Sequence, residues 1–333
     1  MVSLSIHRAD APNISGKGIR PINTRTDLPA LAHLLEIAFQ EKMDAAGRAA
    51  LQQLRDIGRF GVLHRWFPSS LAEGIRRSLV WVEDGRLLGN ISIYAETLPY
   101  QKRRAWILAN IAVLPGQRNR GIATQLISAA LEKLQPKESP LIVLQVDEEN
   151  ATARKLYQSL GFVEENVFGI WLRRRNAHIP GGEGQESSLL RSTAARRKLE
   201  HQLARQTRAN EQGGIAWLRP LADGDFISGV RGHWLQLREG RIRERRLWLA
   251  NENRVMAALW LDRRFNRPIE LTLLHEANPP ADVIRTLLSW AIGRYPFRNF
   301  ILEHPQESAL EPVMKDCGFR LARTVVNMHY RES

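Results

Sequence analysis

The stretch Ile111-Ala112-Val113-Leu114-Pro115-Gly116-Gln117-Arg118-Asn119-Arg120-Gly121-Ile122-Ala123 holds the residues of this chain best suited to chemistry. An apolar run stops at a proline, the chain turns, and a glycine opens a second run with helical spacing. The first turn of a helix carries backbone N–H groups without intrahelical partners and a partial positive charge, so it attracts anions. Gly121 and Ala123 lack the bulk that would hold a diphosphate away from those donors, and Arg118 and Arg120 add charge at the rim. The result is a phosphate cradle that works without a metal. A glycine at a helix start is by itself an ordinary structural device, so the assignment depends on the elements around it.

Those elements are legible from periodicity. A short strand near Ile19–Ile22 leads into an amphipathic helix, Asp27 to Phe39, with Leu28, Leu31, Leu34 and Leu35 on one face. A variable helical stretch follows to about Ser78. Strands Leu79–Glu83 and Arg86–Tyr94 are joined by Asp84-Gly85, a two-residue hairpin signal. A strand over Arg104–Val113 feeds the cradle, and a helix runs from about Arg120 to Leu134. Then come a strand at Leu141–Val146, a helix at Asn150–Leu160, and strand segments Phe162–Glu164 and Phe168–Leu172. This order is α+β, not the βαβ alternation of a doubly wound fold.

The second half repeats the first. Ile19-Arg20-Pro21-Ile22 has a counterpart in Leu218-Arg219-Pro220-Leu221, and Val80-Trp81-Val82 in Leu247-Trp248-Leu249. Ile122–Leu131 resembles Val283–Ile292, and Gly161-Phe162 matches Gly318-Phe319. Each match alone is noise, but their shared order and spacing predict two copies of one unit. The expected layout is a tail over 1–17, a first domain over 18–175, a linker over 176–213 and a second domain over 214–333. In the linker, a helix over about Ser188–Arg208 has Ala195, Leu199 and Leu203 on one narrow stripe, with the rest solvated.

The cradle string resembles motif A of the GCN5-related N-acetyltransferase (GNAT) superfamily, (Arg/Gln)-x-x-Gly-x-(Gly/Ala) after a strand that ends in a hydrophobic-x-Val-x-Pro. Arg118, Gly121 and Ala123 fill the pattern, with Val113 and Pro115 at the family's spacing upstream. Asn150, Ala153, Leu156, Tyr157, Gly161 and Phe162 resemble the second family motif, Asn-x-x-Ala-x-x-Leu-Tyr-x-x-x-Gly-Phe. The resemblance covers roughly Gly18 to Arg175. It implies two tandem acyl-CoA N-acyltransferase folds, each a mixed, mostly antiparallel twisted sheet flanked by helices, joined by a helical linker. It also implies acetyl-CoA as co-substrate, with no metal, and a primary amine of a small molecule or peptide as acceptor. The cofactor contacts it implies are Ile111, Ala112, Val113, Arg118, Asn119, Arg120, Gly121, Ile122, Ala123, Asn150 and Ala153. Backbone N–H groups of Ile111 and Val113 would stabilise the thioester oxygen, Asn150 would bond the pantetheine arm or cap its helix, and Tyr157 would be the general acid.

The general base is not given by the motifs. Where many relatives carry an acid on the strand before motif A, this chain has Asn110, which cannot accept a proton. Glu96, at the end of the hairpin, is a candidate base, as is a water chain, with Tyr94, Tyr100 and His33 as weaker options. A binding module without turnover is the rival reading. In the second copy the cradle position reads Glu276-Ala277-Asn278-Pro279-Pro280-Ala281, where prolines offer no N–H, Met314 replaces the tyrosine and Glu307 the asparagine. A degenerate domain is expected there.

Composition adds outer bounds. The net charge of +13, from Lys+Arg 48 against Asp+Glu 35, favours anionic partners. The basic residues are dispersed and form no recognition helix or zinc-finger pattern, which argues against nucleic acid. No run of about 18 apolar residues suggests a membrane span. Residues 1–17 lack an apolar signal core, and the single Cys317 cannot form an internal disulfide, so the cytoplasm is the expected compartment. No pattern specifies the acceptor or the oligomeric state.

Overall fold

The computed structural model describes residues 16–40, 74–97, 104–134, 141–178, 188–207, 221, 223–230, 232, 234, 240, 242–264, 267–306 and 309–331. The chain forms two compact units, one of Met1–Tyr94 with Leu108–Ser139 and one of Ala95–Ile107 with Pro140–Ser333.

In the first unit, β1 (Gly18–Pro21) pairs antiparallel with β2 (Leu79–Glu83), placing Gly18 opposite Val82. β2 returns as β3 (Arg86–Thr97) through Asp84 and Gly85, both at positive φ, as a tight right-twisted hairpin demands. β4 (Arg104–Val113), which belongs to this unit from Leu108 onward, lies beside β3. Helix α1 (Leu28–Phe39) buries Leu28, Leu31, Ala32, Leu34 and Leu35 in one cluster with Val80, Val82 and Leu87. Helix α2 (Ile122–Leu134) buries Ile122, Leu126, Ile127, Ala130, Leu131 and Leu134. Gly89 of β3 lets α2 come close, since a Cβ there would sit 2.9 Å from Ile122 Cγ2 and 3.0 Å from Leu126 Cδ1.

The second unit contains β5 (Leu141–Asp147), α3 (Ala151–Ser159), β6 (Phe162–Arg173), β7 (Leu190–Arg191) and α4 (Arg196–Thr207). It continues with β8 (Ile242–Asn251), β9 (Arg254–Arg263), β10 (Ile269–His275), α5 (Ala281–Arg294), β11 (Phe300–Pro305), α6 (Glu311–Asp316) and β12 (Arg320–Tyr330). Its strands lie in the order β5-β12-β6-β11-β10-β9-β8-β7, and only β10 and β11 pair in parallel. The main core joins Leu259, Leu261, Leu271 and Leu273 of the strands to Ile284, Leu287, Leu288 and Ala291 of α5.

The element order β2-β3-β4-α2-β5-α3-β6 recurs as β8-β9-β10-α5-β11-α6-β12, the repetition read from sequence. The final strands are exchanged between the copies. β12 pairs with β5 and β6, and β6 pairs with β12 and β11. This exchange is why the compact units cut across residues 18–175 and 214–333.

Three local expectations need correction. The separate segments Phe162–Glu164 and Phe168–Leu172 are one strand, β6, because β12 pairs on both sides of a bulge at Glu165 and carries the polar residues between them into the sheet. The linker helix starts at Arg196, and before it Leu190–Arg191 adds a short strand to β8. Glu200 of that helix is fully buried, not solvated, because Arg245 bridges it at 3.1 Å and Trp260 Nε1 donates to it at 2.8 Å.

Candidate active site

β4 ends at Val113, and Leu114 N–H donates to Leu88 O, tying the exit of β4 to β3. A 3-10 turn over Pro115–Gln117 follows, then Arg118 is extended and Asn119 and Gly121 take φ of +62° and +73°. Two left-handed residues in three turn successive N–H groups toward one side. The first main-chain bond of α2 is Gln125 N–H to Gly121 O at 3.0 Å. The amides of Asn119, Arg120, Gly121, Ile122, Ala123 and Thr124 donate to no protein acceptor among the described residues. A Cβ on Gly121 would meet only Gln125 Nε2, at 3.7 Å, so the glycine is required by its φ and by what must approach from outside.

The two arginines at the rim differ. Arg118 is exposed and reaches back only to Val113 O at 3.4 Å. Arg120 is held by Glu83 at the end of β2 through contacts of 2.7 and 3.0 Å, and by Gln117. The Arg120 hydrogen bond keeps the Glu83 carboxyl below its ordinary value. Arg120 therefore braces the loop against β2, while Arg118 is the freer cation.

Asn110 interrupts β4 with φ of +51°, a conformation that asparagine tolerates better than other non-glycine residues. A buried network enforces it. Asn90 Nδ2 donates to Asn110 O at 2.9 Å, and Asn110 Nδ2 donates to Ser92 Oγ and Tyr94 Oη, each at 3.3 Å. Ser92 also accepts from Ser78 Oγ at 3.0 Å and Asn90 Nδ2 at 3.2 Å. Asn110 is thus a backbone device that bends β4 just before Ile111, Ala112 and Val113. Burial pushes the Tyr94 phenol up, outweighing its hydrogen bonds, so it is no base at neutral pH. Glu96 closes β3, but its side chain lies outside the described residues, as do Tyr100 and Glu307.

In the second unit, Asn150 caps α3, its Oδ1 accepting from Ala153 N–H at 3.2 Å. The Ala153 amide is therefore engaged by the cap, and Asn150 has its Nδ2 left for another partner. Tyr157 is buried, edge-on to Phe162 at 6.1 Å between centroids, and burial pushes its phenol up to about 12. It stays protonated at neutral pH.

The model of the acetyltransferase (GNAT) family matches residues 48–162, which include the cradle, Asn150 and Tyr157. The chain carries a GNAT-family domain. An uncharacterized N-acetyltransferase, YhfO, of Bacillus subtilis is 29% identical over 90 residues, 27% of this chain and 60% of the relative. The ribosomal protein bS18-alanine N-acetyltransferase of Salmonella typhimurium is 34% identical over 83 residues, 25% of this chain and 51% of that one. The chain spans about half the length of these curated relatives. A GCN5-related N-acetyltransferase from Sphaerobacter thermophilus shares the fold over 96% of each chain, with a TM-score of 0.60 at 13% identity. A tandem GNAT protein from the clavulanic acid biosynthesis pathway matches over 96% of this chain and all of its own, with a TM-score of 0.56 at 13% identity. The fold is α+β, with two GNAT folds in tandem.

The corresponding turn of the second GNAT copy is built differently. Pro280 caps α5 without a side-chain bond, and its carbonyl accepts from Val283 N–H at 3.2 Å. Asp282 places a negative charge in the first turn, where a helix start would otherwise attract an anion. Met314 is buried in the core. Cys317 is also buried there, which pushes its thiol up to about 11, and it serves as packing.

Sequence reading missed a set of polar residues on the paired strands β5, β12 and β6. Asn327 lies directly opposite Gln145 on one side and Asn166 on the other. His329 Nδ1 comes 3.9 Å from Glu165 Oε2, and both side chains are about nine-tenths buried. Glu303 on β11 accepts from Gln145 at 3.3 Å. The cluster was invisible because its strands are far apart in the chain and β12 reaches β5 and β6 only through strand exchange. A glutamate pair inside an otherwise apolar strand (Glu164-Glu165) was the one available signal.

Proposed function

We propose that the protein is an acetyl-CoA-dependent N-acyltransferase that moves an acetyl group to a primary amine of a small molecule or peptide. One observation carries this reading: six consecutive main-chain amides, Asn119 to Thr124, have no acceptor among the described residues and surround a left-handed glycine. A diphosphate has the charge and the acceptor oxygens for such a nest, and the exposed Arg118 adds a counter-charge. The nest supports the reading that Ile111, Ala112, Val113 and residues 118–123 contact the cofactor; for Asn150 the support is its free Nδ2 beside the cap of α3.

In this reading Tyr157 donates to the departing sulfur. A free alkyl thiol titrates near roughly 8.5, so a phenol at about 12 gives up its proton reluctantly. Burial raises a thiol in the same direction and narrows the gap, leaving Tyr157 as a hydrogen-bond donor to the thiolate as it forms. The second GNAT copy, with prolines and Asp282 at its turn, is a degenerate domain that supports the first.

The test is thiol release from acetyl-CoA at neutral pH with spermidine, glucosamine and an alanyl tripeptide as acceptors. The last two are chosen because an amino-sugar and an alanine N-acetyltransferase are among the similar proteins. Release that depends on at least one acceptor is expected. Measurable acetyl-CoA binding without release from any amine would make the protein a binding module.

A further inference from the structure

The left-handed residue at Asn110 belongs to one GNAT copy and not to the other. Leu114 N–H donates to Leu88 O, and Glu276 N–H donates to Met256 O, each at 2.9 Å, which aligns β3 and β4 with β9 and β10. Counted from these bonds, Asn110 corresponds to Thr272, Ile111 to Leu273 and Asn90 to Ala258. β10 pairs with β9 from Glu270 to His275 without a register shift, and Thr272 is not left-handed. The strand therefore forms without the bend and without either asparagine. Asn90 is also kept at a cost to stability, since it is fully buried and its Oδ1 has no partner among the described residues. Alanine at the same place in the second copy leaves no such orphan.

The Nδ2 of Asn90 has a definite task, donating to Asn110 O at 2.9 Å. A trans peptide is planar, so its C=O and N–H point in opposite directions. Holding Asn110 O against Asn90 therefore turns Ile111 N–H away from Asn90. Main-chain groups alternate along a strand. With Leu114 N–H facing β3, the amides of Val113 and Ile111 face away from β3, and Val113 O accepts from Arg118 Nε instead. In the second copy the pairing of β10 with β11 ends at Leu271, two residues short of the counterpart of Ile111.

We propose that Asn90 is a positioning residue for acyl transfer: by holding the carbonyl of left-handed Asn110, it aims Ile111 N–H at the thioester oxygen. This rests on the N-acyltransferase reading, and Asn90, Asn110, Ile111 and the cradle all lie in one compact unit. As the amine nitrogen bonds to the thioester carbon, the carbonyl electron pair moves onto oxygen, where Ile111 N–H stabilises it. The pair returns as the C–S bond breaks. One proton leaves the nitrogen and one reaches the sulfur, so amine plus acetyl thioester gives amide plus thiol. A fixed donor at such an oxygen contributes about a hundredfold to a thousandfold in rate, and a donor that is misaimed rather than deleted loses part of that factor.

The experiment compares the wild type with Asn90→Ala, Asn90→Ser and Ser78→Ala. Difference infrared spectroscopy, without acceptor, reads the carbonyl stretch of bound acetyl-CoA isotope-labelled at that carbon. Steady-state kinetics use whichever of spermidine, glucosamine and the alanyl tripeptide are acetylated, and titration gives the affinity for CoA. In the wild type the stretch should fall on binding, as Ile111 N–H weakens the C=O bond. Asn90→Ala should return it toward the free value and lower kcat by about tenfold to a hundredfold. Affinity for CoA, which has no acyl oxygen, should not change. Serine is too short to reach Asn110 O, so Asn90→Ser should behave as Asn90→Ala does. Ser78→Ala removes the 3.0 Å bond to Ser92 from the same buried network without touching Asn110 O, and should lower thermal stability alone. Retained kcat or a retained stretch in Asn90→Ala, an unshifted stretch in the bound wild type, or an equal loss of kcat in Ser78→Ala overturns the inference and leaves the N-acyltransferase reading intact. Failure of both Asn90 variants to fold also overturns it, since Asn90 is then part of the scaffold. Absence of thiol release from the wild type with every amine refutes the reading beneath it.

Discussion

Replacing Gly121 by alanine separates the fold's need for this residue from the ligand's. Gly121 sits at φ of +73°, where an L-residue costs roughly 1–2 kcal/mol. Alanine also restricts the unfolded chain, which returns roughly 0.4–1 kcal/mol. No steric cost is added, because the nearest atom to the new Cβ is Gln125 Nε2 at 3.7 Å. The net loss of stability is therefore about 1 kcal/mol, small enough for the variant to fold. Binding should suffer more. On the reading that the diphosphate occupies the open space beside Gly121, a methyl group there displaces it from two charge-assisted bonds, each worth roughly 1.5–3 kcal/mol, which predicts at least a hundredfold weaker binding. Denaturant unfolding gives the first quantity, and calorimetric titration with acetyl-CoA gives the second. Acetyl-pantetheine, which lacks the diphosphate, is the control and should bind both proteins equally. Unchanged acetyl-CoA affinity in the folded variant would refute the assignment of these amides.

Further predictions address the acid, the strand exchange and the buried ion pairs. Tyr157→Phe should lower kcat by about a hundredfold with acetyl-CoA affinity retained; steady-state kinetics with parallel titration would show otherwise if Tyr157 only packs against Phe162. A chain ending at Arg175 should aggregate, because β5 and β6 lose the partner that β12 provides; a monomeric, cooperatively unfolding product by gel filtration and circular dichroism would contradict this. Asp262→Asn should destabilise the protein in urea unfolding by less than the about 3–5 kcal/mol of a buried charge left alone, since Arg243 loses the carboxylate that it grips at 2.6 and 2.8 Å but keeps Asp225 at 2.6 Å; unchanged stability would contradict this.

The cradle was legible because it is local. Strand end, turn and helix start lie within residues 111–127, and a glycine at left-handed φ leaves a recognisable mark. The hairpin at Asp84-Gly85 and the cap at Asn150 were readable for the same reason. The β6–β12 exchange was not, since the pairing of strands far apart in the chain leaves no trace in local periodicity. Glu200 was read as part of the solvated face of the linker helix, because composition does not say which charges have found partners. Asn110 was read as a missing acid when its property of consequence is backbone tolerance. Glu165 and His329, brought together by a bulge, had no sequence signature as a pair.

The most direct test is a crystal structure with acetyl-CoA bound. The account predicts diphosphate oxygens within about 2.7–3.2 Å of main-chain nitrogens between Asn119 and Thr124. A diphosphate bound elsewhere, with those nitrogens facing only solvent, would contradict it.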